Sequence, residues 1–337
     1  MLALITRRLM TAIPTLLVII LASFFLMRLA PGGPFDGERP LDPETQAALQ
    51  QAYGLDRPLW EQAWLYVLRL VQGDFGPSLV YRDFTVSELI AQGLPISLTL
   101  GGLAIIFALM IGVTAGLFAA VRAGRAADKT IMMLATVATA LPTFVTGPAL
   151  ALFFGLWLGL LPVSGTGEGV DWLIMPVLAL ALPVSGAIAK LTRAGLATVL
   201  KQDHIRTARA RGLSETKILF KHGLRPALVP VASYLGPAAA GLLTGAVVVE
   251  TVFGLPGLGR YFVQGALNRD YPLVLSVVTL YAALIILFNL FADLVYGWLD
   301  PGCGKGEGGA ATPFSALSRA DDCAAGLGAP VPAPVEL

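Results

Sequence analysis

Charged residues are scarce in this chain of 337 residues: they make up 13% of it, whereas 56% is hydrophobic. Soluble domains carry roughly 25% charged residues, so a domain exposed to water on all sides is excluded. The apolar residues stand in runs of about 20, the length of a helix that crosses the hydrocarbon core of a bilayer. These runs lack the alternation of apolar and polar residues that is expected of membrane β-strands. We therefore predict an all-α, polytopic helical membrane protein.

Cysteine and histidine are nearly absent, with two residues of each. Cys303 and Cys323 stand in the polar C-terminal stretch, which predicts neither a disulfide framework nor a zinc ligand set. His204 and His222 lie in one basic segment, which leaves no histidine ligand for a metal within a span. No Ser/His/Asp or Cys/His arrangement falls within a span either. We expect no bound metal, no cofactor and no catalytic residues.

A nucleotide-binding loop is also missing. The stretch GCGKG at 302–306 lacks the spacing and the Ser/Thr of a P-loop, and no strand precedes it. If transport by this protein is driven by ATP, the nucleotide must be hydrolysed on a separate subunit. The chain itself is therefore not expected to be an enzyme.

Six apolar runs are long enough to be membrane spans. The third contains Leu141-Pro142 and Gly147-Pro148, and we expect one kinked helix there rather than two spans. Small-residue pairs that permit close helix packing are present at 112/116 and 241/245. The predicted spans cover about residues 9–29, 97–121, 131–160, 172–192, 228–252 and 273–298.

Lysine and arginine are distributed unequally between the two sides of these spans. With the N-terminus inside, the inner segments before the tail carry fourteen such residues and the outer segments carry six. Cytoplasmic loops hold the excess of positive charge, so both termini are predicted to be cytoplasmic.

The spans divide the chain into four predicted parts. The large external loop contains nine acidic and four basic residues, and we expect it to be a solvated cap with helices near 43–52 and 58–71. The last part is rich in Gly, Ala and Pro and is expected to be disordered. The parts are the N-terminus with the first span (1–30), the external loop (31–96), a core with five further spans and a cytoplasmic loop at 194–226 (97–301), and the tail (302–337).

One connecting stretch concentrates positive charge. Residues 201–226, here called the basic segment, read KQDHIRTARARGLSETKILFKHGLRP and contain seven Lys or Arg residues against two acids. Asp203 is placed to cap a short helix that Gly212 would end. Ser214 would cap a second short helix that stops at Gly223. Two apolar faces are expected, one from Ile205, Ala208 and Leu213 and the other from Ile218, Leu219 and Phe220.

Three interpretations of the basic segment are open. Positive charge can simply fix the topology and attract anionic headgroups. Recognition of a nucleic acid or of a calmodulin-like protein is the second interpretation. The third is docking of a cytoplasmic partner. The small Ala208, the glycine at 212 and the two helix caps favour docking, because a charge anchor needs none of them.

The basic segment resembles the EAA loop of ABC-importer permeases, in which three residues separate Glu-Ala-Ala from a glycine. With Gly212 aligned, Arg206, Thr207 and Ala208 take those positions, so Arg206 departs from the pattern. The run from 203 to 214 is similar to the dipeptide/oligopeptide (peptide/nickel) branch, apart from His204, where an aromatic residue is usual. Further similarity lies at 53–58, 73–78, 94–98, 250–259 and 289–301, so that the resemblance covers about residues 1–301.

This resemblance implies a type I ABC-importer permease architecture and the import of di- or oligopeptides across a bacterial cytoplasmic (inner) membrane. Import of a nickel chelate or of glutathione by the same family is an alternative. A stand-alone channel or secondary carrier is an alternative of another class. The implied partners are a second homologous permease, two ATPase subunits that bind ATP and magnesium, an extracytoplasmic substrate-binding protein and membrane lipid, with no nucleic acid.

Site residues follow from the same resemblance and from the rule that ionisable residues in spans are functional candidates. Arg206 and Arg209 are expected to pair with acidic residues. The expected ATPase contacts are Asp203, Arg206, Thr207, Ala208, Arg209, Gly212, Leu213 and Ser214. The candidate gate or external-loop residues are Glu250, Phe253, Gly254, Pro256 and Gly257, and the intramembrane polar residues are Asn289 and Asp293.

Overall fold

The structure is a computed structural model that describes residues 2–29, 42, 44, 54, 56–81, 83–167 and 169–299. Apart from residue 44, the helix expected near 43–52 therefore lies outside the described residues, as does the tail at 302–337. Within those ranges the chain is helical and connected by short loops, which confirms the all-α prediction. In chain order the helices are α1 (Leu2–Leu29), α2 (Leu59–Val71), α3 (Val86–Val121), α4 (Ala126–Ala140), α5 (Thr143–Leu150), α6 (Asp171–Val199), α7 (Asp203–Ala210), α8 (Glu215–Lys217), α9 (Leu224–Ala227), α10 (Val229–Val252), α11 (Leu258–Leu267) and α12 (Tyr271–Leu299).

Five of these helices, α1, α3, α6, α10 and α12, are long and apolar enough to cross a membrane. A sixth span comes from α4 and α5 together with the π-helical turn Ala151–Trp157 that follows them. The ends of the bundle are called outer and inner here, after the predicted orientation.

The sixth span is broken by a bend of 103° between α4 and α5. Pro142 at the break has no N–H to continue the helix and disfavours helical geometry in the residue before it. Near the start of α4, Asp128 is paired with Arg193 in the last two turns of α6. Beyond the π-helical turn, Gly165 donates its N–H to the carbonyl of Phe253 (2.8 Å), just after α10. The broken pair therefore runs from the inner to the outer end, as the prediction of one kinked span requires.

Helix α3 begins eleven residues before the predicted start of its span. A capping box explains this start: the Thr85 hydroxyl accepts the N–H of Glu88, and the Glu88 carboxylate accepts the N–H of Thr85 (2.8 Å). Pro95 then lies inside the helix, where packing against neighbouring helices tolerates it. Part of the predicted external loop is thus an extension of a span.

The rest of the described external loop is also tied to the bundle. Ser78 and Asp270 are both buried, and the Ser78 hydroxyl donates to the Asp270 carboxylate. The same carboxylate accepts the N–H of Val80 (3.2 Å) and, at the start of α12, that of Leu273 (3.3 Å). These bonds fix the loop before α3 on the turn between α11 and α12.

Helices α3 and α6 form the closest pair in the core, and glycines allow this approach. A Cβ added at Gly112 would lie 2.7 Å from that of Ile188, and one added at Gly116 would lie 2.5 Å from the Ala189 carbonyl oxygen. The small-residue pair predicted on α3 is therefore confirmed as a packing device. Of the pair predicted on α10, Gly245 faces a neighbouring helix, whereas the side of Gly241 is open.

Candidate functional site: the basic segment and the outer turn

Helix α7 opens the basic segment. Its N-cap is Gln202, so the prediction of Asp203 as the cap is wrong by one position. As the first residue of the helix, Asp203 instead places its carboxylate near the positive end of the helix dipole. The difference is small in structural terms, because both positions belong to the same turn.

A Schellman motif ends α7. The N–H of Gly212 donates to the Arg209 carbonyl (2.9 Å), and the N–H of Leu213 donates to the Ala208 carbonyl (3.3 Å). Gly212 has a φ of +76°, in the left-handed region that glycine adopts without steric cost. The predicted role of Gly212 in ending the helix is confirmed.

The second short helix begins where predicted but does not stop where predicted. The Ser214 hydroxyl accepts the N–H of Lys217, which caps α8. The prediction that this helix stops at Gly223 is wrong: a π-helical turn, Ile218–Gly223, carries the helical chain into α9. The wider turn tolerates a glycine that would be a poor residue for regular helix.

The inward sides of these short helices meet in one apolar cluster. Ile205 and Ile218 are completely buried, and Ala208 is nearly so. They pack with Leu196 of α6 and Ala227 of α9. The two predicted apolar faces are therefore a single cluster that joins the basic segment to the spans on either side of it. Phe220 is the exception, since 58% of it is exposed.

Two ion pairs lie on the outward side. The Arg209 guanidinium donates to both carboxylate oxygens of Glu215 (2.7 and 3.2 Å), and Arg206 pairs with Asp203 (3.2 Å). Arg209 thereby holds the pKa of Glu215 below its ordinary value. Both arginines therefore have acidic partners within the basic segment, and their pairing with acidic residues of an ATPase stays a prediction.

Most of the predicted ATPase-contact residues lie on the free surface of the segment. Ala208 points into the apolar cluster, and Leu213 is half-buried beside it. No structural observation places an ATPase on this surface, so the contact stays a prediction. Phe220, which the sequence placed inside, adds an exposed ring to it. The exposed members of the predicted set are Asp203, Arg206, Thr207, Arg209, Gly212 and Ser214.

An ion pair that the sequence did not reveal, between a buried aspartate and a partly exposed arginine, holds two helices together at the inner end. Arg193 donates to both oxygens of Asp128 (3.0 and 2.7 Å), and Asp128 also accepts the N–H of Gly124 (2.9 Å). Asp128 is 3% exposed. The only sequence signal was that both charges fall near predicted span ends, and spacing alone does not pair residues 65 positions apart. The pair holds α4 on α6, directly above the basic segment.

The outer turn, residues 250–259, is built around the carboxylate of Glu250. Ser97 of α3 donates its hydroxyl to one carboxylate oxygen (2.6 Å), and the other accepts the N–H of Gly259 (2.7 Å). The N–H of Leu258 donates in turn to the Ser97 hydroxyl (2.9 Å). Glu250 and Ser97 together therefore satisfy the first N–H groups of α11, which the helix itself leaves without acceptors.

Glycines leave the space that the Glu250 carboxylate occupies. A Cβ at Gly257 or at Gly259 would collide with the Glu250 carboxylate. Gly254 has a φ of +65°, and Phe253 is buried against Gly147 of α5. The predicted gate and external-loop residues are thus brought together in one turn. Pro256, half-buried, belongs to the same turn, and the gate role remains a prediction.

The two predicted intramembrane polar residues bind different neighbours. Asn289 donates to the Ile285 carbonyl of its own helix (2.9 Å) and packs on Gly236 of α10. Asp293 pairs with Arg8 of α1 (2.8 Å), which ties the first span to the last. Both residues therefore hold spans together in this structure.

Comparison with known proteins agrees with this arrangement. The family described as "Binding-protein-dependent transport system inner membrane component" matches residues 112–305, and its N-terminal counterpart matches residues 1–101. Between them they cover nearly all described residues. The chain belongs to this family. It is accordingly a multi-pass inner membrane protein of bacteria, as predicted.

Curated relatives of this inner membrane component are similar over nearly their full length. The oligopeptide transport system permease protein OppB of Haemophilus influenzae is 47% identical over 302 residues, covering 89% of this chain and 99% of that protein. OppB of Salmonella typhimurium gives the same figures. The dipeptide transport system permease protein DppB of Bacillus subtilis is 39% identical over 287 residues, covering 85% and 93%. The predicted peptide-permease branch is confirmed.

The fold also has a solved counterpart. A chain of the MetNI methionine ABC transporter, in an inward-facing conformation, superposes with a TM-score of 0.53 at 19% sequence identity. The match covers 63% of this chain and 96% of that one. It confirms the predicted type I importer fold and carries no information on substrate.

Proposed function

We propose that this inner membrane component is a transmembrane permease subunit of an ATP-binding-cassette importer for di- and oligopeptides. Its partners are a second, homologous permease, two ATPase subunits on the inner side and a substrate-binding protein on the outer side. The names of the relatives support the substrate class. The missing P-loop supports hydrolysis of ATP on separate subunits, and the Lys/Arg distribution supports an inner location for the basic segment.

The observation that carries the coupling role is the attachment of α7 to two spans at once. Ile205 is completely buried between Leu196, near the end of α6, and Ala227, just before α10. A partner that moves α7 therefore moves the inner ends of both spans. Energetic coupling needs such a rigid connection and not merely attraction.

The outward side of α7 supplies the surface for that partner. Thr207 is exposed, and its hydroxyl is already bonded to the Asp203 carbonyl of its own helix (3.0 Å). A larger side chain there leaves the apolar cluster intact and obstructs only what approaches from the inner side. Thr207 is for this reason a cleaner test position than the buried Ala208.

The test is Thr207→Trp in the complete importer reconstituted in liposomes with its binding protein. We expect peptide uptake and the peptide-stimulated ATPase activity to fall at least about tenfold, which corresponds to roughly 1.4 kcal/mol of lost coupling. Thr114→Trp is the matched control, because Thr114 is exposed on α3 and its hydroxyl is likewise bonded within its own helix (2.6 Å). That control is expected to transport normally.

Three results would each contradict a different part of the proposal. Normal uptake by Thr207→Trp would remove the docking role of α7. Uptake that continues without any ATPase subunit would instead indicate a channel or secondary carrier. Competition by a nickel chelate or glutathione, with no competition by peptides, would leave the importer in place and overturn the substrate class.

A further inference from the structure

Helix α2 exposes an apolar face in the external loop that the charge count predicted to be solvated. Trp60, Trp64, Leu68 and Val71 recur every three or four residues and therefore share one side of the helix. Their exposed fractions are 70%, 60%, 38% and 81%. Two exposed tryptophans in one apolar stripe are unusual on a water-facing surface.

The neighbouring side of α2 packs on the first and last spans. Ala63 is buried in a cluster with Phe24 of α1 and Leu275 of α12. The ring of Tyr66 is stacked on that of Phe24, with 6.2 Å between the centroids. Both spans therefore fix the position of α2 along the bundle axis.

These contacts give the depth of α2. Phe24 stands five residues before the end of α1, and Leu275 stands four residues after the start of α12. At a rise of 1.5 Å per residue, the contacts lie roughly 6–8 Å inside the outer ends of both spans. Leu26 and Leu29, in the same last turns of α1, are more than 70% exposed. Helix α2 is thus at the level where the apolar surface of the bundle ends.

The remaining side of α2 is polar. Arg69 and Gln72 are exposed there, and Glu61 is bonded to Arg57 (2.9 Å). The exposed apolar stripe therefore lies next to the side of α2 that packs on the two spans. The polar stripe lies on the other side of the apolar stripe. A helix lying in a membrane interface has this order, with lipid below, protein at one side and water above.

We propose that α2 is an interfacial helix whose stripe Trp60, Trp64, Leu68 and Val71 is inserted into the outer leaflet of the membrane. The occupant of the stripe is phospholipid at the boundary between headgroups and acyl chains, where tryptophan side chains concentrate. The stripe continues the lipid-facing surface of α1 at the same depth. The external loop is thereby anchored to the bilayer as well as to the bundle, independently of what the importer carries.

The test uses the native fluorescence of the complete importer in nanodiscs. The fluorescence of the wild type minus that of the double variant Trp60→Phe, Trp64→Phe gives the signal of these two tryptophans without that of the other three in the chain. We expect lipids brominated near the headgroup end of their chains to reduce this difference signal by roughly two-fold, because the indoles lie within the interface. Iodide in the aqueous phase should barely reduce it. Phenylalanine keeps the stripe apolar, and uptake by the same variant reconstituted in liposomes checks that the fold is kept.

A second measurement does not depend on the tryptophans. Single cysteines at Val71 and at Arg69, with Cys303 and Cys323 replaced by serine, carry nitroxide labels on the apolar and polar stripes, because both residues are exposed and lie on opposite sides of α2. The label at 71 should be relaxed more by oxygen than by a water-soluble nickel chelate, and the label at 69 should show the reverse. Equal access of the chelate to both labels would overturn the proposal. Protection of the stripe from both lipid and aqueous quenchers would also overturn it, by assigning the stripe to a protein partner.

Discussion

The outer turn and the turn after α7 have the same backbone conformation, but the outer turn is packed inside the protein and the turn after α7 is exposed. Each turn follows the end of a helix and contains a glycine at positive φ, +65° at Gly254 and +76° at Gly212. In each turn a leucine comes directly after the glycine. At the outer turn the N–H of Leu255 donates to the Glu250 carbonyl (2.8 Å), as the N–H of Leu213 does to that of Ala208 (3.3 Å). Both are Schellman motifs.

What differs is the residue three positions before the helix cap. At the outer turn it is Glu250, whose buried carboxylate accepts bonds from α3 and α11. At the inner turn it is Ala208, whose methyl group packs in an apolar cluster while charged neighbours face outward. Glycine thus sets the shape of both turns, and the residue four positions before it differs between a turn that is fixed inside the protein and one that is exposed at its surface.

The largest effect is expected from removing the carboxylate of the outer turn. Glu250→Ala leaves the Ser97 hydroxyl and the Gly259 N–H buried without this acceptor, at about 1–3 kcal/mol each. The midpoint of thermal unfolding of the solubilised importer should fall strongly. Thr251→Ala is the control, since Thr251 is exposed and bonded only within its own helix (2.8 Å). Similar midpoints for the two variants would mean that the buried bonds contribute little.

Gly254→Ala and Gly212→Ala are expected to lower stability by an intermediate amount that is equal for the two variants. No atom lies within 3.8 Å of a Cβ built at Gly254 or Gly212, so the cost is that of the left-handed backbone, about 1–2 kcal/mol in each case. Asparagine should cost less at both positions, because it tolerates this conformation. Midpoints of thermal unfolding of the alanine and asparagine variants at both glycines test whether the two positions are equally sensitive. A neutral Gly212→Ala would show that the inner turn changes conformation freely.

Much of this comparison could be predicted from the sequence. Long apolar runs and the cap residues act locally, so they predicted the spans, the end of α7 at Gly212 and the cap at Ser214. The broken third span was also predicted, because Pro142 affects its own backbone. These features depend on residues close together in the chain.

Contacts between distant residues could not be predicted in the same way. The carboxylate of Glu250 reaches Ser97, 153 positions away, and Asp128 pairs with Arg193. The π-helical turn that contains the exposed Phe220 was not predicted either, and its first residue, Ile218, is buried against residues distant in the chain. The charge count of the external loop was misleading for α2 because it averaged a polar stripe with an apolar one.

The smallest effect is expected at the ion pair that distinguishes the inner turn from the outer one. Arg209 lowers the pKa of Glu215 from its ordinary value of 4.5, so the pair stabilises the folded turn above that pH and the contribution disappears as the pH falls through the lowered pKa. The pair is exposed, and exposed pairs contribute little. Glu215→Gln should therefore reduce stability slightly at pH 7 and progressively less as the pH is lowered below 4.5, as thermal unfolding over a series of pH values would show. A charge reversal, Arg209→Glu with Glu215→Arg, should restore stability at pH 7. If the reversal restores stability but not uptake, Arg209 also contacts the partner, and the inner turn is a docking surface in a way that the outer turn is not.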